Sequence, residues 1–101
     1  MLPETLTKVK LSRGRVVSYV DEIGHWFLAK LGQRKNGSGR RLAVKVRKEL
    51  GAKARINPKA LNVRFVSEDN WQGIQICSSQ IMTQKKAKLV ASCAEEIIKK
   101  P

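Results

Sequence analysis

"RRLAVKVRKELG", residues 40–51, decides how this chain is read. Leu42, Val44 and Val46 alternate as a half-buried strand does. Leu42, Val46 and Leu50 step by four as one face of a helix does, with Gly51 placed as its C-terminal cap. We read a strand at the start of the stretch. Upstream, "LGQRKNGSG" (31–39) has the composition of a turn, and the two stretches together hold no acidic residue before Glu49.

Working outward, the charge is concentrated here. The chain has 101 residues, 21 Lys and Arg against 8 Asp and Glu, and a formal net charge of +13. Residues 30–64 hold twelve cations and one anion, a local net of +11. The rest of the chain contributes nine cations and seven anions. Ordinary solvated faces mix both signs, so a one-signed surplus points to a polyanionic partner. The candidate phosphate-binding residues are Arg34, Lys35, Arg40, Arg41, Lys45, Arg47, Lys48, Lys53, Arg55 and Lys59. Each phosphate met by Lys or Arg releases condensed counterions, and Arg adds bidentate geometry.

Before the basic segment, "VVSYVDEIGHWFLAKLG" (16–32) reads as an amphipathic helix. Val16, Tyr19, Val20, Ile23, Phe27 and Leu31 recur at steps of three and four, and Gly32 follows as a cap. A break at Gly24, with "HWFLAK" as a strand, is the alternative. Residues 1–15 read as an N-terminal arm or edge strand, with loose alternation over 5–12. Beyond the basic segment, "LNVRFVS" and "GIQICSS" are strands joined by the hairpin loop "EDNWQ". Thr83 is a good N-cap for a helix over the last stretch, with Val90, Cys93, Ala94 and Ile97 as its apolar stripe. The expected fold is a small single α+β domain, an antiparallel sheet of about three strands packed against two amphipathic helices.

"TQKKAKLVASCAEEI" (83–97) resembles the last helix of double-stranded RNA-binding domains, on Thr83, Lys85, Ala87, Lys88 and Ala91. Gln84 stands where that family has the first lysine of a pair. The resemblance implies an order of helix, three strands, helix. It also implies that Lys85 and Lys88 grip phosphates across a groove. The rival reading is a winged-helix DNA binder. It takes residues 41–51 as a helix, "INPKALN" as part of the recognition element and the hairpin 61–79 as the wing.

Enzyme chemistry has little support. The glycine-bearing stretch 32–39 fits no nucleotide-binding spacing. His25 is the single histidine, so neither a His-based metal site nor a Ser/His/Asp triad is expected. A metal-free ribonuclease using His25 with Asp21 or Glu22 is a minor alternative. Cys77 and Cys93 match no ligand spacing and read as buried reduced thiols, which suits a cytoplasmic protein without metal or cofactor. There is no apolar run of membrane-spanning length and no signal-peptide pattern at the N-terminus.

The expectation is therefore a non-enzymatic nucleic-acid binder, RNA or DNA undecided, with an acidic protein or ribonucleoprotein partner as the other class. Trp71, in the hairpin loop, is a possible aromatic contact. Tyr19 and Phe27 are assigned to the helix stripe and Phe65 to a central strand. Too few aromatics then remain for a single-strand platform, so duplex is favoured over single strands.

Overall fold

The computed structural model describes residues 14–68 and 71–99, so the expected strand over 5–12 lies outside the described residues. Two hairpins alternate with two helices. The elements are β1 (Val16–Val20), β2 (His25–Leu31), α1 (Asn36–Lys53), a short 3-10 helix (Pro58–Ala60), β3 (Leu61–Ser67), β4 (Gln72–Ser78) and α2 (Gln84–Lys99). They form one four-stranded sheet of order β1-β2-β4-β3 with antiparallel pairings throughout. The α+β class holds, with four strands where about three were expected.

Two local readings are corrected. Residues 16–31 form a hairpin, not a helix. Asp21 makes the turn: its Oδ1 accepts from the backbone N–H of Ile23 (2.9 Å) and of Gly24 (3.1 Å), and its own N–H donates to the Gly24 carbonyl (3.0 Å). An aspartate that bonds its own chain two and three residues on offers an alternative to helix. The residues that seemed to share one helical stripe separate accordingly: Phe27 and Leu31 are buried, while Val20 and Ile23 are exposed. The helix–strand–strand–strand–helix order is replaced by ββαββα.

The second correction concerns residues 40–51, which are helical throughout and belong to α1. Gly39, Leu42, Ala43, Val46 and Leu50 make its buried stripe, whereas Val44 is 69% exposed and created the false alternation. "NGSG" is the first turn of this helix rather than a loop. Gly39 is required there, because a Cβ would lie 2.4 Å from two ring carbons of Phe65 on β3. The helix ends where Ala54 N–H bonds the Leu50 carbonyl (2.9 Å), and Arg55 then takes φ 53°. The Lys86 ammonium, reaching over from α2, donates to the freed Ala54 carbonyl.

The expected hairpin over 61–79 and the final helix are both present. Glu68 N–H bonds the Trp71 carbonyl (2.8 Å) across the loop, and Thr83 Oγ1 accepts from Lys86 N–H (3.2 Å) as the N-cap of α2. Because β4 pairs with both β2 and β3, this hairpin is built into the four-stranded sheet.

Both helices lie on one face of the sheet. Phe27, Val46, Leu50, Ile74, Ile76, Val90 and Ile97 fill the space between the layers, each essentially inaccessible. Each such side chain contributes roughly 1.5–3 kcal/mol relative to exposure. This aliphatic core fixes which side of α1 meets solvent.

Candidate nucleic-acid interface

With Gly39, Leu42, Val46 and Leu50 turned inward, a period of 3.6 turns the cations of α1 outward. Arg40, Arg41, Lys45, Arg47 and Lys48 are all exposed and share the helix's solvent side with Val44. The one acid of the helix, Glu49, sits at the flank, 3.6 Å from Lys53 in an i,i+4 pair. Lys53 is thereby partly neutralised, but the five outward cations meet no carboxylate among the described residues. Arg47 donates Nε–H to the Pro58 carbonyl (2.8 Å), which orients its guanidinium beside the helix.

The N-terminal end of α1 adds to the field. Its first turn carries no acidic residue, and its N-cap, Lys35, makes no side-chain capping bond. The positive end of the helix dipole therefore lies between Lys35 and the Arg40–Arg41 pair. Arg34 is a brace instead. Its guanidinium donates to Ser38 Oγ at 3.1 Å (Nε) and 2.8 Å (Nη2), and its backbone N–H to Gln72 Oε1 at 2.6 Å.

Of the other expected residues, Arg55 and Lys59 are exposed on the connection after α1. Lys85 and Lys88 are exposed on the outer side of α2, near its start, which the Lys86–Ala54 bond holds against the end of α1. Arg55 and Lys59 border the α1 face. Trp71 does not. It lies on the other side of the sheet, against Gly73, where a Cβ would come within 2.5 Å of its ring.

That side holds residues the sequence reading assigned elsewhere. Leu28 is fully buried there under Val17, Tyr19, Trp26 and Trp71. The Trp26 indole N–H donates to Asp21 Oδ1 at 2.7 Å, and this bond is the largest cause holding the Asp21 carboxyl below its ordinary range. Tyr19 was missed because it fell on a supposed helical stripe. The signal that finds it is strand alternation, Val17 and Tyr19 on β1 facing Leu28 and Trp26 on β2.

Among the described residues, no carboxylate is hydrogen-bonded to His25. His25 is buried on the helix-covered face, stacked on Phe27 with ring centroids 4.7 Å apart, and its Nδ1 accepts from Met82 N–H (3.1 Å). Burial lowers its pKa. The Asp21 carboxylate is spent on its own turn and Trp26, and Glu22 is exposed. Cys77 and Cys93 are unpaired and half-buried rather than buried; burial, with a smaller contribution from Asp21, raises the Cys77 pKa. Among the described residues, no three His, Cys, Asp or Glu side chains converge, and no helix is long and apolar enough to cross a membrane.

Compared with known families, curated proteins and solved structures, the chain matches none.

Proposed function

We propose that this protein binds nucleic acid by its phosphate backbone, through the solvent face of α1. The observation that carries the reading is the cation face itself: Arg40, Arg41, Lys45, Arg47 and Lys48 exposed on one rigid helix, with no facing acid among the described residues. Such crowding repels itself unless a polyanion relieves it. The positive dipole end at Lys35 favours a phosphate at the start of the same helix.

At this helix face, duplex is the favoured form. Cations held on a helix keep fixed spacings, and a duplex backbone presents phosphates at fixed spacings in return. Contacts of this kind position a protein without reading sequence, so weak sequence preference accompanies them. Arg55 and Lys59 extend the footprint. The protein acts in this reading without catalysis, cofactor or metal.

The test is titration of labelled duplex DNA and duplex RNA at near-physiological salt. Charge reversal at Arg40 and Arg41 lowers affinity by more than about tenfold, since phosphate contacts dominate non-specific binding. Reversal at Lys99 and Lys100 changes it little. Equal losses from the two pairs contradict a localised site. An acidic protein captured in place of nucleic acid assigns the face to the other partner class.

A further inference from the structure

We infer that the open face of the sheet is a second binding surface, a stacking platform for the unpaired bases of a single-stranded nucleic acid. It is independent of the α1 face and lies across a domain only about 20 Å thick in its shortest dimension.

The strand register lays the platform out in rows. Asn62, Cys77, Trp26 and Tyr19 stand side by side, then Arg64, Gln75, Leu28 and Val17, then Val66, Gly73 and Lys30. Trp71 folds onto Gly73 and completes the third row. Both helices pack on the opposite face, and no described helix or strand covers this one. The face carries both tryptophans of the chain and its one tyrosine. The core under the helices holds Phe27 and otherwise aliphatic side chains, with Phe65 partly buried against it, so these three rings are not needed to fill it.

Three features favour bases over an apolar protein partner. The rings are pre-set: Leu28, fully buried beneath them, gives them a floor, and the bond to Asp21 fixes the Trp26 indole. Every base has a π-face, so fixed, half-exposed aromatics suit stacking irrespective of sequence. The charge is complementary. Arg64 is exposed in one row and Lys30 half-exposed in the next, while no carboxylate occupies any of the three rows. Two carboxylates lie at the margin: Asp21, already bonded to two backbone N–H groups and an indole, and Glu68, exposed beside Trp71. Finally, Gln75 is 2% exposed and its amide Nε2 has no hydrogen-bond partner. Orphaned buried donors are rare. This one lies in the row between those of Trp26 and Trp71.

Because both tryptophans lie here, the full-length protein reports on this face by its own fluorescence. The experiment titrates it with oligothymidylate, oligouridylate and a duplex of equal length. Single strands quench tryptophan emission to saturation. Trp71→Ala and Tyr19→Ala each weaken single-strand binding about 5- to 100-fold, and Trp71→Phe restores most of the loss. Arg64→Glu, at an exposed position, weakens it without risk to the core. Duplex affinity is unchanged in all four and falls only with Arg40→Glu/Arg41→Glu. Single-strand binding without quenching, or unchanged by Tyr19→Ala and Trp71→Ala, overturns the inference even if duplex binding at α1 stands. An emission change that tracks protein concentration without oligonucleotide, together with a dimeric mass, also overturns it and assigns the face to a second copy.

Discussion

Two glycines of α1, two residues apart, respond in opposite directions to the same substitution. Gly37 has open space where a Cβ would go, with nothing within 4 Å. Alanine there removes chain entropy from the unfolded state at no steric cost, a gain of roughly 0.5–1 kcal/mol. At Gly39 the same methyl lies 2.4 Å from Phe65 Cδ1 and Cε1 and 2.6 Å from Cγ. Carbon atoms rest about 3.5–4 Å apart, so the ring or the helix must give by about 1 Å. Overpacking of this kind costs roughly 1–3 kcal/mol, which offsets the propensity gain and leaves Gly39→Ala destabilised by up to about 2.5 kcal/mol. Thermal melts resolve this, since 1 kcal/mol shifts the midpoint by about 4–8 °C in a domain of this size. Gly37→Ala melts higher and Gly39→Ala lower than the parent. Phe65→Leu combined with Gly39→Ala costs less than the sum of the two alone, because the ring that clashes is gone. A stabilising Gly39→Ala would refute the seating of α1 on β3, and with it the orientation of the cation face.

The other predictions concern single polar groups. Burial holds the His25 imidazole below its ordinary range, so below about pH 6.5 the unfolded chain takes up a proton that the native one does not. Its contribution is therefore complete above that pH and is lost as pH falls towards the folded value; in urea melts across pH 7 to 5, His25→Gln removes this part of the decline. Lys86→Met strips the cationic donor from the Ala54 carbonyl and costs about 1–2 kcal/mol in urea denaturation. The same variant leaves duplex affinity nearly unchanged, because that ammonium faces the end of α1 and not solvent. Cys77→Ser with Cys93→Ala keeps duplex binding nearly intact, read by the same titration, since Cys77 lies on β4 beside Trp26 and Cys93 packs against the core from α2.

What was legible in the sequence was what local chemistry decides alone. The Thr83 cap and the stripe of Val90, Ala94 and Ile97 give α2, and two alternating runs around "EDNWQ" give the β3–β4 hairpin. The first hairpin was hidden because β2 is a central strand. "HWFLAKL" is apolar on both faces, with Phe27 in the core and Leu28 under the open-face rings, so a period of two never appears. The informative letters were Asp21 and Gly24, which form the turn. The helix over 36–53 was obscured by Val44, an apolar side chain left in solvent, and by glycines that resemble a loop until Phe65 explains Gly39. The cations were legible as a cluster because net charge needs no fold. Their sharing of one helix face, and the gathering of Tyr19, Trp26 and Trp71 on the far side, depend on strand register and helix phase, which composition does not carry.

Phosphate binding by α1 shows itself in the salt dependence of duplex affinity. If Arg40, Arg41, Lys45, Arg47 and Lys48 each meet one phosphate, log affinity falls against log salt with a slope of about −4 to −5. Replacing Arg40, Arg41, Lys45 and Lys48 by glutamine removes four of these contacts and flattens the slope by about 3–4. A slope that stays at the parent's value in this variant would contradict the account, because the released counterions would then belong to cations elsewhere on the chain.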